Sequence, residues 1–180
     1  RTRCSALIKN GKKNILIDTS PDLRQQLLSN KIKLINSVFF THMHADQTHG
    51  INDLRVFFLK LKKRIPIYAD LETLKYLKKN FSYCFDNKHD YPATLKINKL
   101  KKNFNIDGIN FRSVSVQHGN INSKAFIING KLAYLSDANN IYTKDLDYFK
   151  NLKYFVVDCL RIKNHPSHFN LDEVIKLHNQ

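Results

Sequence analysis

The decapeptide THMHADQTHG, residues 41–50, constrains this chain more than any other part of it. His42, His44, Asp46 and His49 crowd into it, directly after an apolar run, SVFF at 37–40. Such a run reads as a short buried strand. Extended backbone just past a strand points residues i, i+2 and i+4 to one side. On that spacing His42, His44 and Asp46 present two imidazoles and a carboxylate to one pocket. Zinc accepts all three donors, and a catalytic zinc keeps at least one position open. A lone histidine is ordinarily packed or solvated, but three ligands at alternate positions ask for a metal. Ile51, Leu54, Phe57, Phe58 and Leu61 then follow helical spacing. A helix is therefore expected to begin near His49 and to aim its positive end at the pocket. His49 falls outside the alternation and is expected to brace or cap rather than ligate.

The remaining sequence indicates strands in hairpins mixed with helices, hence a layered α/β domain. RCSALI and NILID flank a KNGKK turn and read as a hairpin. Ser20-Pro21 is expected to open a helix through Leu28, with Ser20 as its cap and proline first. IPIY at 65–68 is a strand, and Asp70 caps a helix carrying Leu71, Leu74 and Leu77. Residues 82–94 read as an irregular loop. LKINKL, INFRSVSV, KAFII and KLAYLS follow as strands, with turns at Asp107-Gly108 and Asn129-Gly130. YFVVD at 154–158 reads as a last buried strand. Asn170 with Glu173 makes a capping box for a final helix. Hairpins look too frequent for simple βαβ alternation.

Thirty Lys+Arg stand against 15 Asp+Glu, a formal charge of +15. A basic surface attracts phosphates, which favours a nucleic-acid partner. The wealth of Lys, Asn and Ile, with 5 Gly and no Trp, is what AT-rich codons produce, and that is the preferred explanation of the charge. Cys4, Cys84 and Cys159 lie far apart, each readable as a small core residue, and point to a reducing cytoplasm. No apolar run is long enough for a transmembrane helix. The chain starts at Arg1 and ends in VIKLHNQ, so it is expected to be one domain, 1–180, cut from a longer protein.

His42-x-His44-x-Asp46 followed by Gly50 resembles the HxHxDH signature of the metallo-β-lactamase superfamily. Asp18 in ILID, His118 in QHG and Asp137 in YLSD resemble its other motifs, in the same order. THMHADQTHGINDLR, DYPATL, VVDCLR and HPSHFNLDE resemble the branch of phosphoribosyl cyclic phosphate phosphodiesterase and ribonuclease Z. The resemblance implies a four-layer αββα sandwich, here without its terminal strands. It implies that His42, His44 and His118 hold one metal. Asp46, Gln47 and a histidine beyond residue 180 would hold the second, with Asp137 bridging. Gln47 departs from the signature, which has histidine there. An amide oxygen is a weaker zinc ligand, so the departure implies reduced second-site affinity or a harder ion such as Mn2+ in place of Zn2+.

The implied activity is a metal-dependent phosphodiesterase acting on a small cyclic or nucleotide-like phosphate ester through a metal-bound hydroxide. Two ions per site are expected in the full-length protein. Asp46 and His168 would be catalytic, His168 giving the leaving oxygen its proton. Asp18, Thr41, His49 and His165 would support the ligands, with Asp18 bracing their loop. Arg55 and Arg161 are candidates for binding substrate phosphate, although solvated salt bridges explain them equally. A tRNA 3′-processing endoribonuclease of the ribonuclease Z type is the alternative, which makes RNA a possible partner. A degenerate, non-catalytic metal- or nucleic-acid-binding module is the third reading. A homodimer is possible, and no membrane is implied.

Overall fold

A computed structural model describes residues 2–87 and 91–179. It divides into two compact units, Arg1–Leu100 and Lys101–Gln180. Two sheets and five α-helices are found among the described residues.

The first unit carries strands β1 (Ala6–Asn10), β2 (Lys13–Ile17), β3 (Ser37–Phe39), β4 (Ile65–Ala69) and β5 (Leu95–Lys99), in that spatial order. β1 and β2 form the expected antiparallel hairpin, pairing Ile8 with Ile15. From β2 onward all neighbours are parallel. The expectation against βαβ alternation is therefore wrong for this half. Its connections contain helices α1 (Leu23–Ser29), α2 (Ala45–Thr48), α3 (Arg55–Leu61) and α4 (Leu71–Asn80), as parallel strands require. Val38, Ile65 and Ile67 of the sheet share one buried cluster with Leu23, Leu54, Phe57, Leu74 and Leu77.

Local chemistry explains both the successes and the misses. Asp70 caps α4 as the sequence indicates, its Oδ1 accepting the Thr73 N–H at 2.9 Å. The helix expected from Ser20 starts later, at Leu23. Ser20 instead accepts the Asp22 N–H at 3.3 Å and donates its hydroxyl to Gln26 Oε1 at 3.0 Å. The helix expected from His49 is two pieces, a 3-10 turn at Ile51–Leu54 and then α3. α3 stops where Lys62 adopts φ 52° and returns its N–H to Phe58 O. Within 82–94 a 3-10 turn occupies Ser82–Cys84; residues 88–90 of that loop lie outside the described residues.

The second unit adds β6 (Asn103–Ile106), β7 (Ile109–His118), β8 (Ile121–Ile128), β9 (Leu132–Leu135), β10 (Asn140–Ile141), β11 (Tyr154–Val157) and helix α5 (Leu171–His178). The order is β10-β7-β8-β9-β11, with β6 also paired to β7. Asp107-Gly108 and Asn129-Gly130 turn with positive φ, as expected of these dipeptides. β6, which the sequence reading missed, is held to β7 by the first of these turns. The expected capping box is present: Asn170 Oδ1 accepts from Glu173 N, and Glu173 Oε2 from Asn170 N. β11 is not the buried strand expected, since Tyr154 is 56% and Val156 49% exposed. Of the cysteines expected in the core only Cys84 is buried; Cys4 and Cys159 are exposed.

Gly50 closes the ligand-rich segment for a reason of space. A Cβ there would lie 2.0 Å from the Ser20 carbonyl oxygen and 2.9 Å from Leu23 Cβ. Its N–H donates to Thr19 O at 2.9 Å. Gly50→Ala therefore forces backbone apart, and we expect a loss of about 2–3 kcal/mol in denaturant unfolding. An unchanged midpoint would contradict this packing.

Candidate functional site

In the first unit the site is built from Asp18 upward. Asp18 follows β2 at φ 62°, fully buried. Its N–H donates to Phe39 O at 2.8 Å, tying the ends of β2 and β3. Its carboxylate accepts the Thr41 N–H and the Thr41 hydroxyl, each at 2.8 Å. The Thr41 hydroxyl has thus spent its proton, and 3.0 Å away His42 Nδ1 supplies one to its lone pair. This fixes the proton on Nδ1 and leaves the His42 Nε2 lone pair for ligation.

His42 Nε2 lies 3.0 Å from His44 Nδ1, the rings meeting edge to face at 79°. Two nitrogens about 2.0 Å from one tetrahedral zinc are separated by about 3.3 Å. The pair therefore fits a shared divalent ion. Asp46 does not follow them in an extended register as the sequence spacing suggested. His44 ends the extended segment at φ −60°, ψ 153°, and Ala45 starts α2. Helical hydrogen bonding takes over there, with Gln47 N–H donating to His44 O at 3.1 Å. Asp46 sits exposed in the first turn and accepts the Gln47 amide at 3.2 Å. Gln47 is 1% exposed, so it is no surface substitution. His49 is the C-cap residue of α2, where its ring packs edgewise on Phe81.

Arg55 opens α3 and lays its guanidinium 4.3 Å over the Tyr91 ring. It lines a cavity of about 280 Å³ with Asn52, Tyr83, Cys84 and Tyr91. The Tyr83 hydroxyl donates to Asn52 Oδ1 there. Burial pushes the Cys84 thiol up to about 11, so it is protonated at neutral pH and a poor nucleophile.

In the second unit His118 ends β7, buried. Its Nδ1 lies 2.6 Å from Ser167 O. A carbonyl only accepts, so Nδ1 carries the proton and Nε2 a lone pair that could ligate. Gly119 makes this approach possible. It turns at φ 59°, and a Cβ on it would sit 3.0 Å from Ser167 Cβ.

His168 stacks edgewise on His118, with ring centroids 4.8 Å apart. Its Nδ1 lies 2.6 Å from Asp158 Oδ2 and 4.0 Å from Asp137 Oδ1. Asp137, Asp158 and His168 each bring one ligand atom within 4.8 Å of the others. Asp158 was missed as a functional residue. It stands just past β11 in the quoted VVDCLR, and only the fold shows that His168 returns to it. Burial raises the Asp158 carboxyl above its ordinary range, against the opposing pull of His168.

His165 lies beside them, its ring 5.0 Å from that of His168 and its Nδ1 accepting the Ser167 N–H at 3.3 Å. Partial burial, then the Arg161 charge, holds its imidazole below the usual range. Arg161 folds onto its own loop, donating to Lys163 O at 3.3 Å and Asn164 O at 2.6 Å.

Residues 13–180 match the model of the β-lactamase superfamily domain. The chain belongs to this superfamily. A diphosphatase of the PhnP family superposes with a TM-score of 0.91 at 31% identity, covering 99% of this chain and 68% of that one. The superfamily chain is also 32% identical over 181 residues to a Porphyromonas gingivalis (strain W83) protein named octanoyltransferase. That match covers 97% of this chain but 36% of the other, so the chain spans about a third of this relative's length. Human tRNase Z, short form, superposes with a TM-score of 0.73 at 15% identity, covering 99% of this chain and 82% of that one, a likeness of fold. The α/β architecture is thus that of the metallo-β-lactamase hydrolases and of their PhnP and ribonuclease Z-like branch, a fold that implies divalent metal binding. No helix among the described residues is long and apolar enough to cross a membrane.

The Asp18 brace generates a test. Asp18→Ala removes both acceptors that hold Thr41 and, through it, the His42 tautomer. We expect divalent-metal affinity, measured by competition with a chromogenic chelator, to fall about 10–100-fold. Unaltered affinity would show that the brace does not govern the ligand.

Proposed function

We propose that this chain is the core of a metal-dependent phosphodiesterase acting on a small cyclic or nucleotide-like phosphate ester. The observation that carries the proposal is the Asp137–Asp158–His168 cluster beside His118, with Asp137 buried and the other two half-buried. It joins metal donors to an oriented imidazole, the combination a phosphodiester cleavage requires. The 31% identity to a PhnP-family diphosphatase supports a phosphate compound as the substrate.

In this reading His42, His44 and His118 hold one divalent ion. Asp46 and Gln47 would serve a second, and Asp137 would contribute its carboxylate. When bound, such ions supply Lewis acidity toward a phosphate ester and an acidified water. Zinc suits the imidazole donors, whereas the Gln47 amide oxygen suits a harder ion such as manganese. Asp158 holds the His168 Nδ1 proton and so orients the ring. His168 Nε2 is then the atom that passes a proton to the leaving alkoxide. Asp18, Thr41 and His49 keep the donor segment in place, and His165 packs against the proton donor. Arg55, on its Tyr91 platform, is a candidate phosphate anchor. The Arg161 guanidinium is engaged with its own loop, which weakens the same assignment for it.

A tRNA 3′-processing activity is the second reading, favoured by the +15 charge. A degenerate binding module is the third. The full-length protein discriminates among them, offered a chromogenic phosphodiester, a cyclic ribose phosphate and precursor tRNA. We expect turnover of the small esters. His168→Ala should lower kcat by about 10²–10⁴-fold with metal content retained. Cleavage of tRNA alone would reverse the order of the first two readings. No cleavage and no retained metal would leave the binding module.

A further inference from the structure

The second unit carries a basic, aromatic groove that the metal-dependent reading does not use. Its volume is about 670 Å³, and Asn103, Phe104, Arg112, Asp147, Tyr148 and Lys150 are among its lining residues. Arg112 is held twice. Its Nε donates to Asn103 Oδ1 at 2.9 Å, and its guanidinium lies 4.2 Å over the Tyr148 ring. Nε and one face are thereby engaged, while the two terminal nitrogens donate to no acceptor among the described residues.

A fork fixed in this way has already lost its rotamer freedom, which is the costly part of bidentate recognition. A structural arginine would take the carboxylate available in the same groove. Asp147 instead pairs with Lys150 at 2.9 Å, both well exposed. Lys102 Nζ adds charge 5.4 Å from the Tyr148 ring centroid. Three cations thus attend one carboxylate. Phe104, stacked on the buried Phe111 at 5.2 Å and 5°, supplies an apolar wall.

We propose that this groove binds the phosphate backbone of single-stranded RNA. A guanidinium fork matches a phosphate bidentately. A cationic groove with aromatic walls is the arrangement that holds single strands without reading their sequence. Arg112 lies on the same face of β7 as His118, roughly 20 Å away at about 3.4 Å per residue. The groove is therefore distinct from the His118 cluster and does not depend on its metal.

The test is fluorescence anisotropy of the full-length protein with a labelled single-stranded RNA of about a dozen nucleotides. EDTA is present, so that the outcome is independent of the hydrolase reading. We expect Arg112→Gln and Arg112→Lys each to weaken binding about tenfold, because lysine restores charge but not the fork. Arg112→Gln alone should lower the slope of log affinity against log salt by about 0.7. Thermal melting verifies that each variant is folded, and Arg112→Lys decides if the glutamine variant is not. Wild-type affinity in the lysine variant would overturn the proposal, as would failure of the wild type to bind at low salt. Competition by inorganic phosphate or an acidic peptide as strong as that by unlabelled RNA would overturn it too.

Discussion

The donor segment depends on one buried carboxylate. Asp18 sits at φ 62°, a conformation that L-residues other than Asn and Asp seldom adopt. Burying an ionised carboxylate is costly unless donors meet it. Here the Thr41 N–H and hydroxyl meet it at 2.8 Å each. Those two bonds turn the chain out of β3, and the spent Thr41 hydroxyl dictates which nitrogen of His42 carries a proton. A brace at the end of one strand thus sets the tautomer of a histidine at the end of the next.

Much of this was legible where the chemistry is local. The β1–β2 hairpin, the Asp70 cap, the Asn170–Glu173 box and the Asp-Gly and Asn-Gly turns each follow from a few adjacent residues. The misses have equally physical causes. Helical spacing through 51–61 does not report that a 3-10 turn precedes α3. β6 does alternate, Asn103-Phe104-Asn105-Ile106 ahead of Asp107-Gly108, but over only four residues, and that short signal was passed over. The YFVV run looked buried, but apolar character does not say which residues are covered. Asp46 looked extended by its spacing, yet α2 begins at Ala45 and carries it on a turn.

The second unit repeats the logic of the first with different parts. Gly119 lets the Ser167 backbone approach β7, and the Ser167 carbonyl orients His118. Asp158 does the same for His168. No short motif contained this pairing, since Asp158 and His168 are joined by the path of the loop between them. His42 in the first unit and His118 in the second each have Nδ1 held by a hydrogen-bond acceptor, which leaves the Nε2 lone pair for ligation.

The central claim is that donors distant in sequence serve the same ions. Titration of the full-length protein with cobalt(II), followed through its ligand-field absorption, tests it most directly. His42→Ala and His118→Ala should each abolish the same tight absorption band, and the double variant should lose nothing further. Two independent bands, each sensitive to only one of the substitutions, would contradict the account.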